Sequence, residues 1–153
     1  MTVIIRPATK KDLPAIRKLS VELEKTRTKL WEKENKLFHK KTVLNKVIKK
    51  ISTTDCVFVA EQNNNIVGFV WGELSSRKNS ILSKTGYISG LFIKANIRRQ
   101  GASKKLLKNL FQIFKEKGCD HIIVHTDSEN LPAQALYKSV GMSQVTVELW
   151  KKI

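Results

Sequence analysis

Apolar positions along this chain follow two rhythms, strand-like alternation and helix-like spacing, and their order outlines a fold. Val3-Ile4-Ile5, ended by Arg6-Pro7, predicts a first strand. Thr9 and Asp12 have capping-box spacing, and Leu13, Ile16, Leu19 and Leu23 follow at helical intervals. Residues 25–50 predict a second helical region, with Leu37, Leu44, Val47, Ile48 and Ile51 as its buried stripe. Two strands, residues 57–60 and 66–71, flank Asn63-Asn64-Asn65, which is a hairpin signal. A polar loop over residues 75–84 leads to a strand over 87–93. After Gly101, Leu106, Leu107, Leu110, Phe111 and Phe114 give a clear helical period that Gly118 stops. Residues 121–126 predict a fifth strand, and Pro132 opens a short helix ended by Gly141. Residues 145–149 alternate and predict a closing strand. The result is a mixed α/β layer fold in one domain over residues 1–153, without repeats or linkers.

Charge changes this picture more than composition does. Lys and Arg number 29 against 13 Asp and Glu, a formal net charge of +16, which predicts attraction to phosphate-bearing partners. Residues 25–50 hold ten of the basic residues and only Glu32 and Glu34 as acids, apart from which they are polar or apolar. Cys56 and Cys119 are too few for a disulfide framework, which points to a reducing cytoplasm. No apolar run approaches the length of a membrane span, and the start does not read as a signal peptide.

The turn between the fourth strand and the helix after it carries the chemistry. Arg98, Arg99, Gln100, Gly101, Ala102 and Ser103 set unpaired backbone N–H groups and a positive helix end before whatever faces them. Gly101 has no side chain to exclude an anion, and the arginines add charge and planar donors. The turn suits a pyrophosphate. It lacks the Gly-Lys-Ser/Thr ending of a P-loop and two of the three glycines of a dinucleotide fingerprint.

A second constellation runs Asn130-Leu131-Pro132-Ala133-Gln134-Ala135-Leu136-Tyr137, then Gly141-Met142. Together the two motifs resemble the GNAT superfamily of N-acetyltransferases. Arg98 and Gly101 match the family's pyrophosphate pattern, with Ser103 at its Gly/Ala position. Asn130, Ala133, Leu136, Tyr137 and Gly141 match the later pattern, with Met142 in place of Phe. Ile5-Arg6-Pro7-Ala8 and Val67-Gly68 extend the likeness over almost the whole chain. The resemblance implies a mostly antiparallel sheet with a splayed parallel strand pair and helices on both faces. It also implies acetyl-CoA as cofactor and an amine, on a small molecule or a protein, as acceptor. The pyrophosphate would lie on the N–H groups of residues 99–103, with Arg98 or Lys104 nearby. The pantetheine arm would pair with the backbone of Leu91, Phe92 and Ile93, and Asn130 and Ala133 would belong to the cofactor site.

Acetyl transfer to an amine needs a polarised thioester carbonyl, which backbone N–H groups near Leu91 can supply. It needs a neutralised leaving thiolate, a role the resemblance assigns to Tyr137. Full proton donation from a phenol near ~10 to a thiolate near ~8.5 is uphill by roughly 2 kcal/mol, so a positioned hydrogen bond is the simpler role. The ammonium acceptor must also lose a proton. Many relatives carry an acid just before the Leu-Phe-Ile segment, where this chain has Ser89 and Gly90. Glu73, His125 or a water relay remain as the base. No cysteine is placed as a nucleophile, so the attack would be direct. Glu22, Glu24, Glu32 and Glu34 sit on helices that line the acceptor groove in this family. His39, His121 and Cys119 read as surface or boundary residues, Cys56 as buried, and Trp71 and Trp150 as packing; Trp31 and Phe38 help close a core or groove. No metal-ligand spacing occurs. Two rival readings stand: a basic nucleic-acid-binding module, whose binding would fall steeply with salt, and a CoA-binding protein of this fold without catalysis. A homodimer, with the C-terminal strand pairing between chains, is compatible with the sequence.

Overall fold

The computed structural model describes residues 2–26, 45, 47, 49–51, 56–149, 151 and 153. Among the described residues, five strands form one sheet in chain order: β1 (Ile4–Pro7), β2 (Val57–Gln62), β3 (Asn65–Ser76), β4 (Lys84–Ile93) and β5 (His121–Val124). Neighbours are antiparallel except β4 and β5, which run parallel. Helix α1 (Leu13–Thr26) follows β1, α2 (Ala102–Glu116) bridges β4 to β5, and α3 (Leu131–Lys138) follows β5.

Alternation along β2 explains why the sheet has two covered faces. Val57 and Val59 join Phe69, Trp71 and Phe92 beneath Ile16 and Leu19 of α1. Cys56, Phe58 and Ala60 turn the other way, toward Leu106, Leu107, Leu110 and Phe114 of α2. Phe114 lies where side chains at Gly72 and Gly86 would stand: a Cβ on either would come within 2.6 Å of its ring. The two glycines let the α2 aromatic settle onto the sheet.

Between β2 and β3, Asn63 and Asn64 both take positive φ, 50° and 59°, and Gln62 pairs with Asn65 across the turn. Asparagine tolerates this conformation better than most residues, and the handedness matches the strand twist. At the other end, Arg6 donates to both carboxylate oxygens of Asp12 at 2.8 Å and to Glu61 at 2.7 Å. The Asp12 carboxylate also accepts from Thr9 N–H at 2.7 Å and from its hydroxyl at 3.0 Å. These bonds clamp β1 to β2 and to the start of α1. They pull the Asp12 carboxyl down to about 2, the Arg6 guanidinium being the main cause, and raise Arg6 in turn.

The structure corrects one predicted element and adjusts several. Residues 143–149 form no strand; Val145, Val147 and Leu149 are 87%, 71% and 90% exposed. Alternation makes a segment competent for pairing, but a strand exists only beside a partner edge. β5 stops at Val124, short of Thr126, while β3 and β4 run further into the polar loop than expected. Of the predicted helical region over residues 25–50, most, with Leu37, Leu44 and Ile48, lies outside the described residues. The described residues 45, 47 and 49–51 are helical, and Val47 is fully buried against the α1 side of the sheet. Trp31, Phe38, His39, Glu32, Glu34 and Trp150 also lie outside the description. No described helix is long and apolar enough to cross a membrane.

Candidate active site

β4 and β5 part company before β4 ends. Their pairing runs from Thr85–His121 to Ile88–Val124, whereas β4 continues to Ile93, bonded on its other side to β3 as far as Gly68. Ser89, Gly90, Leu91, Phe92 and Ile93 therefore line a gap with alternate backbone polar groups turned toward it. The strand is irregular at this point, with the pairing to β3 shifting between Trp71–Gly90 and Gly72–Ile88, so Ser89 is the extra residue of a bulge. A Cβ on Gly90 would run into the Trp71 indole, which fills the place a side chain there would take.

The gap opens onto the turn that precedes α2. Arg99 and Gly101 both have positive φ, 62° and 79°. Alternating handedness of this kind curls successive N–H groups toward one concave side. Among the described residues, no bond is recorded for the N–H groups of Arg99, Gln100 and Gly101, and those of Ala102 and Ser103 belong to the first turn of α2. A Cβ on Gly101 would meet nothing within 4 Å, so its backbone angle, rather than space, calls for glycine, and the space before it is open. Lys104 is exposed beside this cradle. Arg98 reaches back to the gap: its Nε donates to the Ile93 carbonyl at 3.0 Å, and its guanidinium lies 5.8 Å from the Phe92 ring centre. It braces the mouth of the gap.

Tyr137 approaches from the α2 side, where α3 packs against that core. Burial pushes its phenol up to about 12, and the hydroxyl makes no hydrogen bond among the described residues. Glu73 and His125 belong to the other face. Leu74, Ile122 and Val124 pack on the α2 side, so alternation turns Glu73 and, one step past the end of β5, His125 toward α1. Glu73 is half-buried and accepts a hydrogen bond from Ser89 at the bulge, 3.2 Å away; His125 is exposed. The sheet thus separates the phenol from both candidate bases, and the gap between β4 and β5 is where the two faces communicate.

The acetyltransferase (GNAT) family model matches residues 19–142, most of the chain and all of this arrangement. The chain belongs to this family. Among curated relatives, human N-acetyltransferase 8 is 33% identical over 89 residues, 58% of this chain and 39% of that protein. N-alpha-acetyltransferase 30 of Schizosaccharomyces pombe is 30% identical over 84 residues, 55% of each chain. The matches therefore span about half or less of these relatives. In fold, the aminoglycoside acetyltransferase AAC(6')-Iy, solved with a CoA-S-monomethyl-acetylneamine bisubstrate analogue, superposes with a TM-score of 0.75 at 20% identity, covering 100% of this chain and 99% of that one. The NatC complex bound to Gag peptide and CoA gives 0.77 at 19% identity, covering 95% and 87%.

Within the GNAT fold the motif residues divide by what they do here. Asn130 caps α3, its side-chain oxygen accepting from Ala133 N–H at 3.2 Å. Gln134 donates to the carbonyls of Asp127 and Ser128 at 3.1 and 2.9 Å. These bonds fix the start of α3, and Tyr137 stands one helical turn beyond Ala133. Gly141, at φ 91°, ends the turn while Met142 N–H returns to the Tyr137 carbonyl at 3.1 Å. Cys56 is fully buried, and burial also raises the thiol of Cys119, so neither offers an accessible thiolate. His121 is half-buried and its Nε2 meets the Thr85 hydroxyl at 3.2 Å. Glu22 lines a shallow groove on α1 with Arg17, Lys18 and Lys25, a setting more basic than acidic; the Glu24 side chain lies outside the description.

Sequence reasoning missed three features. Ser89 as a bulge residue bonded to Glu73 leaves no local pattern. Trp71 beneath Gly90 had a faint signal, since glycine inside a strand often marks close approach. The positive φ of Arg99 had none.

Proposed function

We propose that this chain transfers an acetyl group from acetyl-CoA to a primary amine by direct attack. The observation that carries this reading is that the β4–β5 gap, lined by the β4 backbone, adjoins the turn before α2, open at Gly101, and that no acidic side chain occurs from residue 88 to residue 104. A pantetheine arm has the backbone of Leu91, Phe92 and Ile93 to pair with, and a pyrophosphate has the N–H groups of residues 99–103 with Lys104 nearby. Arg98 positions this segment by holding Ile93.

Bound acetyl-CoA supplies an activated thioester, and the chain supplies the rest. N–H groups at the Ser89 bulge polarise the carbonyl. The Tyr137 hydroxyl donates a hydrogen bond to the sulfur and keeps its proton, because a phenol held at about 12 is too weak an acid to surrender it to a thiolate. Glu73, reached through Ser89, or His125 receives the proton of the amine from the α1 side. Between them we favour Glu73, which already has its hydroxyl partner at the bulge.

Calorimetric titration with acetyl-CoA at low and moderate salt, followed by thiol release against small polyamines, aminoglycosides and peptide N-termini, tests the reading. Binding that survives moderate salt, with turnover on one amine class, is expected. Absence of binding at both salts would remove it.

A further inference from the structure

Trp71 is 4% exposed, and its ring packs with Ile16 and Leu19 of α1 and with Phe69 and Phe92. A tryptophan buried this far usually finds a partner for its indole N–H. Here that N–H makes no hydrogen bond among the described residues. It is not sealed in either: the one fully enclosed side-chain polar atom without a partner, among the described residues, is His121 Nδ1. The polar edge of the indole therefore keeps an opening, and the backbone beside it says where. Trp71 faces Gly90 across the β3–β4 pair, and Nε1 and Cδ1 are the atoms nearest the place a Gly90 side chain would take. Glycine leaves that room to the nitrogen edge of the ring. The contact lies one residue past the Ser89 bulge, where β4 has already parted from β5. Glu73, two residues along β3 and on the same face, is about 7 Å further on and accepts from the Ser89 hydroxyl at 3.2 Å. A donor without an acceptor and a carboxylate thus stand side by side on the α1 face of the sheet, at the inner end of the gap.

We infer that Trp71 reads the acceptor: its indole N–H bonds an oxygen on the second carbon from the amine nitrogen, and the chain selects amines bearing a carbonyl or hydroxyl there over plain alkylamines. The inference rests on the acetyl-transfer reading, with the amine entering from the α1 side. An ammonium only donates, so it has no use for the indole, and the lone pair of the neutral amine is committed to the thioester carbon. An oxygen is the group left to accept. With the amine directed to Glu73 and the oxygen to Trp71, two bonds fix how the acceptor lies over the gap. An amine that lacks the oxygen leaves the N–H facing apolar atoms, so the penalty falls on the wrong substrate.

Thiol release at saturating acetyl-CoA tests this on two matched pairs, ethanolamine with propylamine and glycinamide with isobutylamine. The ratio of kcat/KM within a pair is compared between the wild-type chain and Trp71→Phe, which keeps an aromatic ring and drops the N–H. For at least one pair the oxygen-to-alkyl ratio should fall about tenfold. The basicities of the amines are common to both proteins, and a ratio taken within one protein is independent of its folded fraction. Gly90→Ala retains Trp71 but displaces its nitrogen edge, and should lower the same ratio. A fall in the glycinamide pair alone assigns a carbonyl, and in the ethanolamine pair alone a hydroxyl. Ratios that Trp71→Phe leaves unchanged in both pairs would overturn the inference while acetyl transfer stands. Turnover of none of the four amines at saturating concentration would also overturn it, and failure of acetyl-CoA to bind would remove the acetyl-transfer reading with it.

Discussion

The middle of the sheet and its β5 end are built to different standards. In β2, Val57, Phe58, Val59 and Ala60 are all buried, as are Phe69, Val70 and Trp71 in β3, and helices cover both faces. In β5 and α3 no residue is buried, and the apolar side chains that follow point outward. The first region needs nothing beyond its own sequence. The second borders the gap and holds Tyr137, with its apolar side chains only partly covered. Regions that bind are drawn from the less stable end of a structure, and here that end is a single edge of one sheet.

Substitutions on the two sides should separate stability from function. Phe114→Ala removes the ring that covers Gly72 and Gly86 and is expected to cost about 3–5 kcal/mol, read as a lowered thermal midpoint. Tyr137→Phe should do the reverse: kcat falls about a hundredfold while stability and acetyl-CoA affinity hold, because the hydroxyl makes no hydrogen bond among the described residues. An unchanged rate would take Tyr137 out of the chemistry.

The Arg6–Asp12 clamp belongs to the stable side and should show itself through pH. The folded carboxyl lies below its usual 3.8, at about 2, so its contribution is complete above pH ~4 and is lost as pH falls through about 2. Asp12→Asn should lower stability at neutral pH by about 1–2 kcal/mol and flatten this acid limb, measured by denaturant unfolding from pH 7 downward. Gly101→Ala forces a side chain onto a φ of 79° and places a methyl in the open space before the turn; about 1 kcal/mol of strain and several-fold weaker acetyl-CoA binding are expected by calorimetry. Smallest of all, Val145→Ala in dilute protein should leave unfolding within about 0.5 kcal/mol, since the side chain is 87% exposed.

Sequence made the well-packed region legible because its signals are local and redundant. The period of α2, the Asn63-Asn64 turn and the Thr9–Asp12 spacing each recur in the structure as packing, register and bonds. The turn at residues 98–103 was singled out by its residue types, and Asn130 and Tyr137 by the resemblance to the family's later motif. Long-range arrangement was hidden. Alternation over residues 145–149 looks the same with or without a partner edge, so it predicted a strand that those residues do not form. Arg98, read as lying near the pyrophosphate, also bonds the Ile93 carbonyl, and Asn130 also caps a helix. Both bonds depend on where the backbone of another segment ends, which side-chain type does not encode.

The most direct test of the account is amide hydrogen exchange of the full-length chain with and without acetyl-CoA. Slowed exchange at Leu91, Phe92 and Ile93 together with residues 99–103, leaving the already buried β2 unchanged, is the predicted result. Binding without protection of either segment, or no response to acetyl-CoA anywhere, would contradict it.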